Sequence, residues 1–277
     1  MIGVTGYRGR LGSELIKLGC TPLDCDITSK KSIKQALQIV EPDMIIHCAA
    51  KTNVDACEDC KDEAFEINAR GTENLKVCFY NRIIYISTDY IFDGKKGNYM
   101  EYAKPGKTED LCWYGYTKLI GEQVLGNCDT IIRTTMLYGS PAKEDFVQHV
   151  LQKLELGEPF KVTRAFSGTP TYVVHLAEAI MDVVKRPFMP HIINIAGTDL
   201  YNRYEFAHVI ASVFGYEDRK DLIEPTMKVG STKRPRQAGL NTSKAKVLDV
   251  PIYSAVDGLK AYKEQLIPIY KQLRMTI

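Results

Sequence analysis

Ile2-Gly3-Val4-Thr5-Gly6-Tyr7-Arg8-Gly9-Arg10-Leu11-Gly12-Ser13-Glu14-Leu15-Ile16-Lys17-Leu18 is the stretch whose reading decides the fold. Residues 2–5 form a short apolar run of the kind found in buried strands, and Ser13 to Leu18 read as a helix. Between them stands G-x-x-G-x-x-G. Gly6 permits a tight turn, Gly9 lets the backbone approach a pyrophosphate, and Gly12 allows close helix–strand packing. The helix N-terminus that follows attracts an anion. Glycine spacing alone is a weak signal; strand–turn–helix context is what gives it weight.

Strands and helices alternate onward from that point. Thr21 to Thr28 is a short extended stretch, Ile33, Ala36, Leu37 and Val40 mark one helix face, and Met44 to Cys48 is a buried-type strand. Ala64, Ile67 and Leu75 belong to a longer helix ending near Tyr80; Ile83 to Ser87 and Thr130 to Arg133 are further strands. Such alternation predicts an α/β fold of the Rossmann type, a doubly wound parallel sheet covered on both faces. Ligands of these sheets bind beyond the carboxyl ends of the strands. The glycine loop, Cys48-Ala49-Ala50 and Ser87-Thr88 all fall at that end. Residues 1–140 are expected to form the dinucleotide-binding core, with some later segments returning to it, and 141–277 mainly a smaller substrate-binding α/β lobe. In that second part Phe146 to Leu154, Leu176 to Val183 and Phe206 to Phe214 read as helices, Gly168 to Thr171 as a loop, Ile192 to Ala196 as a strand, and the region after Ser254 as a helical tail.

Composition narrows the class. The 277 residues are 45% hydrophobic and 25% charged, with net charge +2, so neither a disordered chain nor a general nucleic-acid binder is indicated. No apolar run approaches the length of a membrane span, and with the first residues already reading as a strand of the fold no leader peptide is expected. Eight irregularly spaced cysteines, most inside apolar segments, are expected to be reduced thiols of a cytoplasmic protein. Cys57-x-x-Cys60 lacks the second pair or histidine cluster that would complete a metal site, and none is predicted.

Tyr114-Gly115-Tyr116-Thr117-Lys118, downstream of Ser87-Thr88-Asp89-Tyr90, carries the chemistry. A tyrosine and a lysine at i and i+4 share a helix face. An adjacent ammonium favours phenolate and is expected to pull the tyrosine down from about 10. With the Thr88 hydroxyl on the same oxygen, the set suits proton exchange in carbonyl–alcohol chemistry.

These residues carry a family resemblance. The chain resembles the extended short-chain dehydrogenase/reductases and, within them, the dTDP-4-dehydrorhamnose reductases. The likeness runs nearly end to end: the glycine loop, Asp26-Ile27-Thr28, Ala49 to Asp55, Ile67-Asn68-Ala69, Ser87 to Gly94, Tyr114 to Glu122, Gly168 to Thr171, Arg234-Pro235 and Leu240 to Lys244. It implies NAD(P)H-dependent reduction of the C4 keto group of a nucleotide-linked 4-keto-6-deoxysugar, as in dTDP-L-rhamnose biosynthesis. Tyr114 would protonate the C4 oxygen, Lys118 would hold the nicotinamide ribose and lower the Tyr114 pKa, and Thr88 would hydrogen-bond the reacting oxygen. Asp89 and Tyr90 would line the sugar pocket. Gly9, Arg10 and Leu11 would contact the pyrophosphate, Asp26 and Ile27 would border the adenine, and Ala49, Ala50 and Thr52 would line the cofactor cleft. Arg234 is a candidate for the substrate phosphates, with a structural ion pair as the competing reading. Family members exist that dimerise around Mg²⁺, which leaves a homodimer open.

Three departures from the family pattern stand out. The segment between the first helix and Asp26 is short, so the strand that usually presents a ribose-binding acid or a 2′-phosphate-binding base looks truncated. Asp24 suits the first role and Arg8 or Arg10 the second; the two arginines favour NADPH over NADH. Met136 stands where these reductases usually place a Trp in the substrate pocket, and lacks its flat face and N–H. Lys51 occupies a slot where the family commonly has His. Two other readings remain. One is a nucleotide-sugar epimerase or epimerase–reductase, which would need a second acid/base pair from Cys48, His47 or Lys51. The other is a non-catalytic, cofactor-binding regulatory subunit like the methionine adenosyltransferase β subunit, of which the Met136 to Gly139 stretch is reminiscent.

Overall fold

The structure is a computed structural model that describes residues 1–139 and 144–273. Its centre is a six-stranded parallel sheet. The strands β1 (Ile2–Thr5), β2 (Thr21–Pro22), β3 (Met44–His47), β4 (Arg82–Thr88) and β5 (Thr130–Thr134) lie in the order β2-β1-β3-β4-β5, and Ile192–Asn194 completes the sheet beside β5. Every crossover in this half contains a helix: α1 (Arg10–Lys17), α2 (Lys30–Val40), α3 (Val54–Asp59), α4 (Lys61–Phe65), α5 (Gly71–Cys78) and α6 (Trp113–Gln123). The truncation expected near Asp26 takes a definite form. β2 is a two-residue edge strand ending in Pro22, whose missing N–H suits an edge.

Period-two alternation divides the core. Ile46, Ile84 and Ile132 face one side, packing with Leu11 and Leu15 of α1 and with Leu176, Ile180 and Val183 of α8 (Val173–Lys185), once α7 (Phe146–Leu156) has intervened in the chain. Their neighbours Ile45, Ile83 and Ile131 face the other side, with Ile33 of α2 and Leu75 of α5. Thus α8 and the strand Ile192–Asn194, both late in sequence, belong to the layers of the parallel sheet. The boundary expected at 140/141 lies outside the described residues. A separate core joins α7, α9 (Arg203–Phe214) and the helix Ala255–Leu273 around Tyr138, Phe206 and Tyr262. Gly168 to Thr171, expected as a loop, is flanked by short strands: Ser167–Gly168 pairs with Tyr201–Asn202, and Thr171–Tyr172 pairs with Leu137–Tyr138. The single helix expected around Ala64 to Tyr80 is α4 and α5 joined by a π-helical turn, Glu66–Arg70.

A buried polar chain crosses beneath the sheet end. The Ala49 amide donates to Thr5 Oγ1, Thr5 Oγ1 meets His47 Nδ1 at 2.7 Å, and His47 Nε2 meets Thr72 Oγ1 at 3.2 Å. Thr72 gives its own proton to the Asn68 carbonyl at 2.7 Å, so it accepts from Nε2 and the imidazole is the neutral Nε2–H tautomer. Burial pushes the His47 pKa down to about 3. The sign follows: between pH 6.5 and 3 the unfolded chain binds a proton there that the folded chain refuses, so stability falls as pH falls through that window. Replacing His47 with Gln is expected to make the loss of unfolding free energy between pH 6 and pH 4 smaller by about 2 kcal/mol, measured by urea unfolding at each pH. Parallel curves for the two proteins would show that His47 is not a proton-linked element of the fold.

Candidate active site

At the carboxyl edge of the sheet lies a cavity of about 400 Å³. Its wall comes from Gly6, Gly9, Arg10, Leu11 and Gly12 of the loop and α1, from Cys48, Ala50 and Thr52 after β3, from Ser87 to Tyr90 at the end of β4, from Tyr114 and Lys118 of α6, and from Thr134 to Leu137 after β5. Residues far apart in the chain meet here because the parallel sheet delivers all its strand ends to one edge.

The glycine loop is built for a backbone contact. Gly6 has φ +64°, and a Cβ there would stand 2.6 Å from the Ala49 amide nitrogen. The helix it introduces is left open: Gly9 caps α1 with no side-chain hydrogen bond, whereas Ser29, Asn53, Asp145 and Asn202 cap their helices with side-chain oxygens. Unpaired N–H groups and the positive end of the helix therefore face the cavity. The two loop arginines part company. Arg10 turns to the protein, donating to the carbonyls of Leu137 and Glu144, both at 3.2 Å. Arg8 remains at the surface, over the Tyr7 ring and 3.4 Å from Asp24.

The tyrosine and lysine sit as their spacing predicts, on the first turns of α6. Cys112 Sγ accepts from the Gly115 amide and Glu58 from the Trp113 amide, which fixes the start of that helix. Gly115 lets α6 lie against the 88–91 turn, since a Cβ there would be 2.1 Å from the Tyr90 carbonyl oxygen. This close approach brings the Tyr114 phenol beside the Thr88 hydroxyl and sets the Tyr90 and Tyr114 rings edge to face, 5.6 Å apart.

The electrostatics differ from the expectation. Burial drives the Tyr114 pKa upward, and the Thr88 hydroxyl only partly offsets it; Lys118 is not among the groups acting on the phenol. Burial pushes Lys118 itself down to about 7. The phenol is thus held as the acid, because desolvation dominates, and the Lys118 ammonium lies over the Tyr85 ring, 3.9 Å from its centroid.

The other expected residues divide. Thr88, Asp89, Tyr90 and Met136 line the cavity. Asp89 also has a structural bond, its carboxylate accepting from the Gly239 amide at 3.3 Å. Met136 is held at φ +47°, a left-handed backbone rare for a side chain of its size and of a kind that clusters at ligand sites. Asp26 and Ile27 do not line the cavity: the Asp26 carboxylate closes its own turn onto Thr28, and Ile27 is buried under α5. Ala49 stands just behind the wall, against Gly6. Arg234 is bound by both Asp55 oxygens, at 2.8 and 2.9 Å, and lies in the field of Tyr90. Lys51 pairs with Glu63 and has both its backbone groups held by Asn68; His47 is closed off by two threonines. Neither faces the cavity; Cys48, the third candidate, does line it, with its thiol pushed up to about 12 by burial, so the second acid/base pair that an epimerase would need is not assembled from the three.

Some cavity and cleft residues were given no role by the sequence reading. The Ser87 and Thr134 hydroxyls are buried against the cavity without a partner among the described residues. Their position at strand carboxyl ends was the available signal. Arg203, first residue of α9, lies over the Phe146 ring and in the field of Tyr90 and Arg234. Among the described residues no carboxylate pairs with it. Its only local signal is the capping box Asn202 to Glu205 that starts the helix.

Comparisons agree with this geometry. The chain is similar to the dTDP-4-dehydrorhamnose reductase of Mycolicibacterium smegmatis, 30% identical over 86% of this chain and 80% of that protein. It is also similar to subunit beta of methionine adenosyltransferase 2 from Danio rerio, 27% identical over 91% of this chain and 85% of that one. Among solved structures, the dTDP-4-dehydrorhamnose reductase of Bacillus anthracis in complex with NADP superimposes with a TM-score of 0.86, at 29% identity over 95% of this chain and 98% of that chain. The family model described as RmlD substrate binding domain matches residues 1–266, and the chain therefore belongs to that family, within the extended short-chain dehydrogenase/reductases.

Proposed function

We propose that the protein reduces the C4 keto group of a nucleotide-linked 4-keto-6-deoxysugar, using a reduced nicotinamide dinucleotide. The observation that carries this reading is the Thr88–Tyr114 pair: a phenol kept protonated by desolvation, beside a second hydroxyl, on the wall of a cavity that also contains an uncapped helix N-terminus. When bound, the cofactor supplies hydride. The open N–H groups of α1 fit its pyrophosphate, and the unpartnered hydroxyls of Ser87 and Thr134 fit polar groups further along the cavity.

The remaining steps belong to this chain's residues. Thr88 holds the substrate carbonyl oxygen, and Tyr114 gives that oxygen its proton as charge develops there. A phenol high in pKa is a donor that stays loaded at neutral pH and gives up its proton only to a forming alkoxide. Lys118 holds the ribose hydroxyls. Asp89, Tyr90 and Met136 shape the sugar pocket. Arg203 supplies charge for the substrate diphosphate, and Arg234 joins it from its pairing with Asp55. Surface-exposed Arg8 favours NADPH, through a 2′-phosphate; Arg10, occupied by carbonyls, contributes to the loop's shape instead.

The purified protein, mixed with dTDP-4-keto-6-deoxy-L-lyxo-hexulose, is expected to oxidise NADPH faster than NADH, followed at the nicotinamide absorbance. Tight cofactor binding with no oxidation would overturn the reading and point to a cofactor-binding regulatory role. Replacing Tyr114 with Phe should lower kcat by about 10²–10⁴ while leaving cofactor affinity unchanged; full turnover in that variant would remove Tyr114 as the acid. Arg203→Met should raise the KM for the nucleotide sugar by about tenfold or more, the value of a hydrogen bond to a charged group, with cofactor affinity preserved. An unaltered KM would exclude Arg203 from the diphosphate site.

A further inference from the structure

Lys118 carries a charge that no carboxylate claims. Its side chain is buried, and among the described residues no ion pair includes it. The groups around it come from four elements. Glu122, one turn along α6, is held by Arg133 of β5 through two bonds of 3.0 and 2.7 Å. At β3 stand His47, neutral with both ring nitrogens engaged, and Cys48, whose thiol burial pushes up to about 12. From β4 comes Tyr85. Its side chain is fully buried, the Lys118 ammonium lies 3.9 Å from its ring centroid, and its hydroxyl donates to the Lys118 carbonyl at 3.3 Å.

We propose that Tyr85 is a positioning residue: its ring face holds the Lys118 ammonium in its charged form, and its hydroxyl fixes the turn of α6 that carries Lys118. The physical need is plain. A buried ammonium without a counterion gives up its proton, and the electron-rich face of an aromatic ring is a favourable contact that does not bring its own buried charge. Arg133 already engages both Glu122 oxygens, so that carboxylate offers Lys118 only a longer-range attraction. His47, kept neutral, spares Lys118 a repulsive neighbour. Register sets the contact: Tyr85 pairs with His47 across β3 and β4, which puts its ring under the helix that β4 leads into. The functional meaning rests on the reading of Lys118 as the lysine of the reductase site; the contact itself is testable without any reaction.

The test is a ¹³C NMR titration of the Lys118 ε-carbon in the full-length chain labelled with ¹³C-lysine, assigned by loss of its resonance in Lys118→Arg. Tyr85→Phe keeps the ring and is expected to keep the titration midpoint. Tyr85→Leu, and pentafluorophenylalanine placed at 85, remove or reverse the ring's attraction and should lower the midpoint by about one pH unit or more. Pentafluorophenylalanine is close to Phe in shape, which guards against a folding defect in the Leu variant. In the unaltered protein the Lys118 ε-protons should resonate upfield of those of the exposed lysines. An unchanged midpoint with the fluorinated ring, or ε-protons at exposed-lysine positions, overturns the proposal. If these NMR results hold while the protein oxidises no reduced nicotinamide, the proposed reductase function fails and the Tyr85 contact stands.

Discussion

Desolvation at the carboxyl edge of the sheet governs this molecule's chemistry. α6 is drawn against the 88–91 turn so closely that position 115 has no room for a side chain, and the contact buries Lys118 and leaves Tyr114 half-buried beside it. Both side chains are desolvated as a result. The phenol keeps its proton, and the ammonium holds its own with difficulty. One packing event thus sets two protonation states, and it does so before any ligand arrives. For a reductase this ordering is useful: the acid is loaded, and its proton leaves only when a stronger base forms beside it.

The surrounding polar network serves the same edge. Asn68, in the π-helical turn, clasps both backbone groups of Lys51 and donates to Thr117 on α6, and Thr117 in turn donates to the Tyr114 carbonyl. The loop after β3 and the helix carrying the tyrosine are therefore tied to one side chain. The Ala49–Thr5–His47–Thr72 chain extends the tie to the end of β1, where the glycine turn begins. Each group named in this network is paired, and Thr5, His47, Asn68, Thr72 and Thr117 are buried, the condition under which polar contacts specify one geometry instead of destabilising the core.

What the sequence made legible was local. The glycine turn, the Tyr114–Lys118 spacing and the shortness of β2 depend on neighbours within a few residues, and the helix and strand periods translate them directly into position. The Thr88–Tyr114 meeting was legible through topology, since parallel strands present their ends together. What escaped was set by contacts between distant segments. Arg10 resembles a phosphate ligand until Leu137 and Glu144 supply carbonyls to it; Arg203 is an ordinary helix-start residue until α9 is packed beside Phe146. The Tyr114 pKa was misjudged in direction because spacing places Lys118 on the right face but cannot reveal that the ammonium turns to Tyr85. Burial, a property of the packed whole, then outweighed the pairwise charge effect.

The most direct measurement is to run the reaction with reduced nicotinamide carrying deuterium at the transferring position and to read the sugar product by NMR. Hydride delivery to the carbon whose oxygen Tyr114 protonates predicts one deuterium, at sugar C4, with a single configuration there. Deuterium at another carbon, a mixture of configurations, or a product without label would contradict a site built around Thr88, Tyr114 and Lys118.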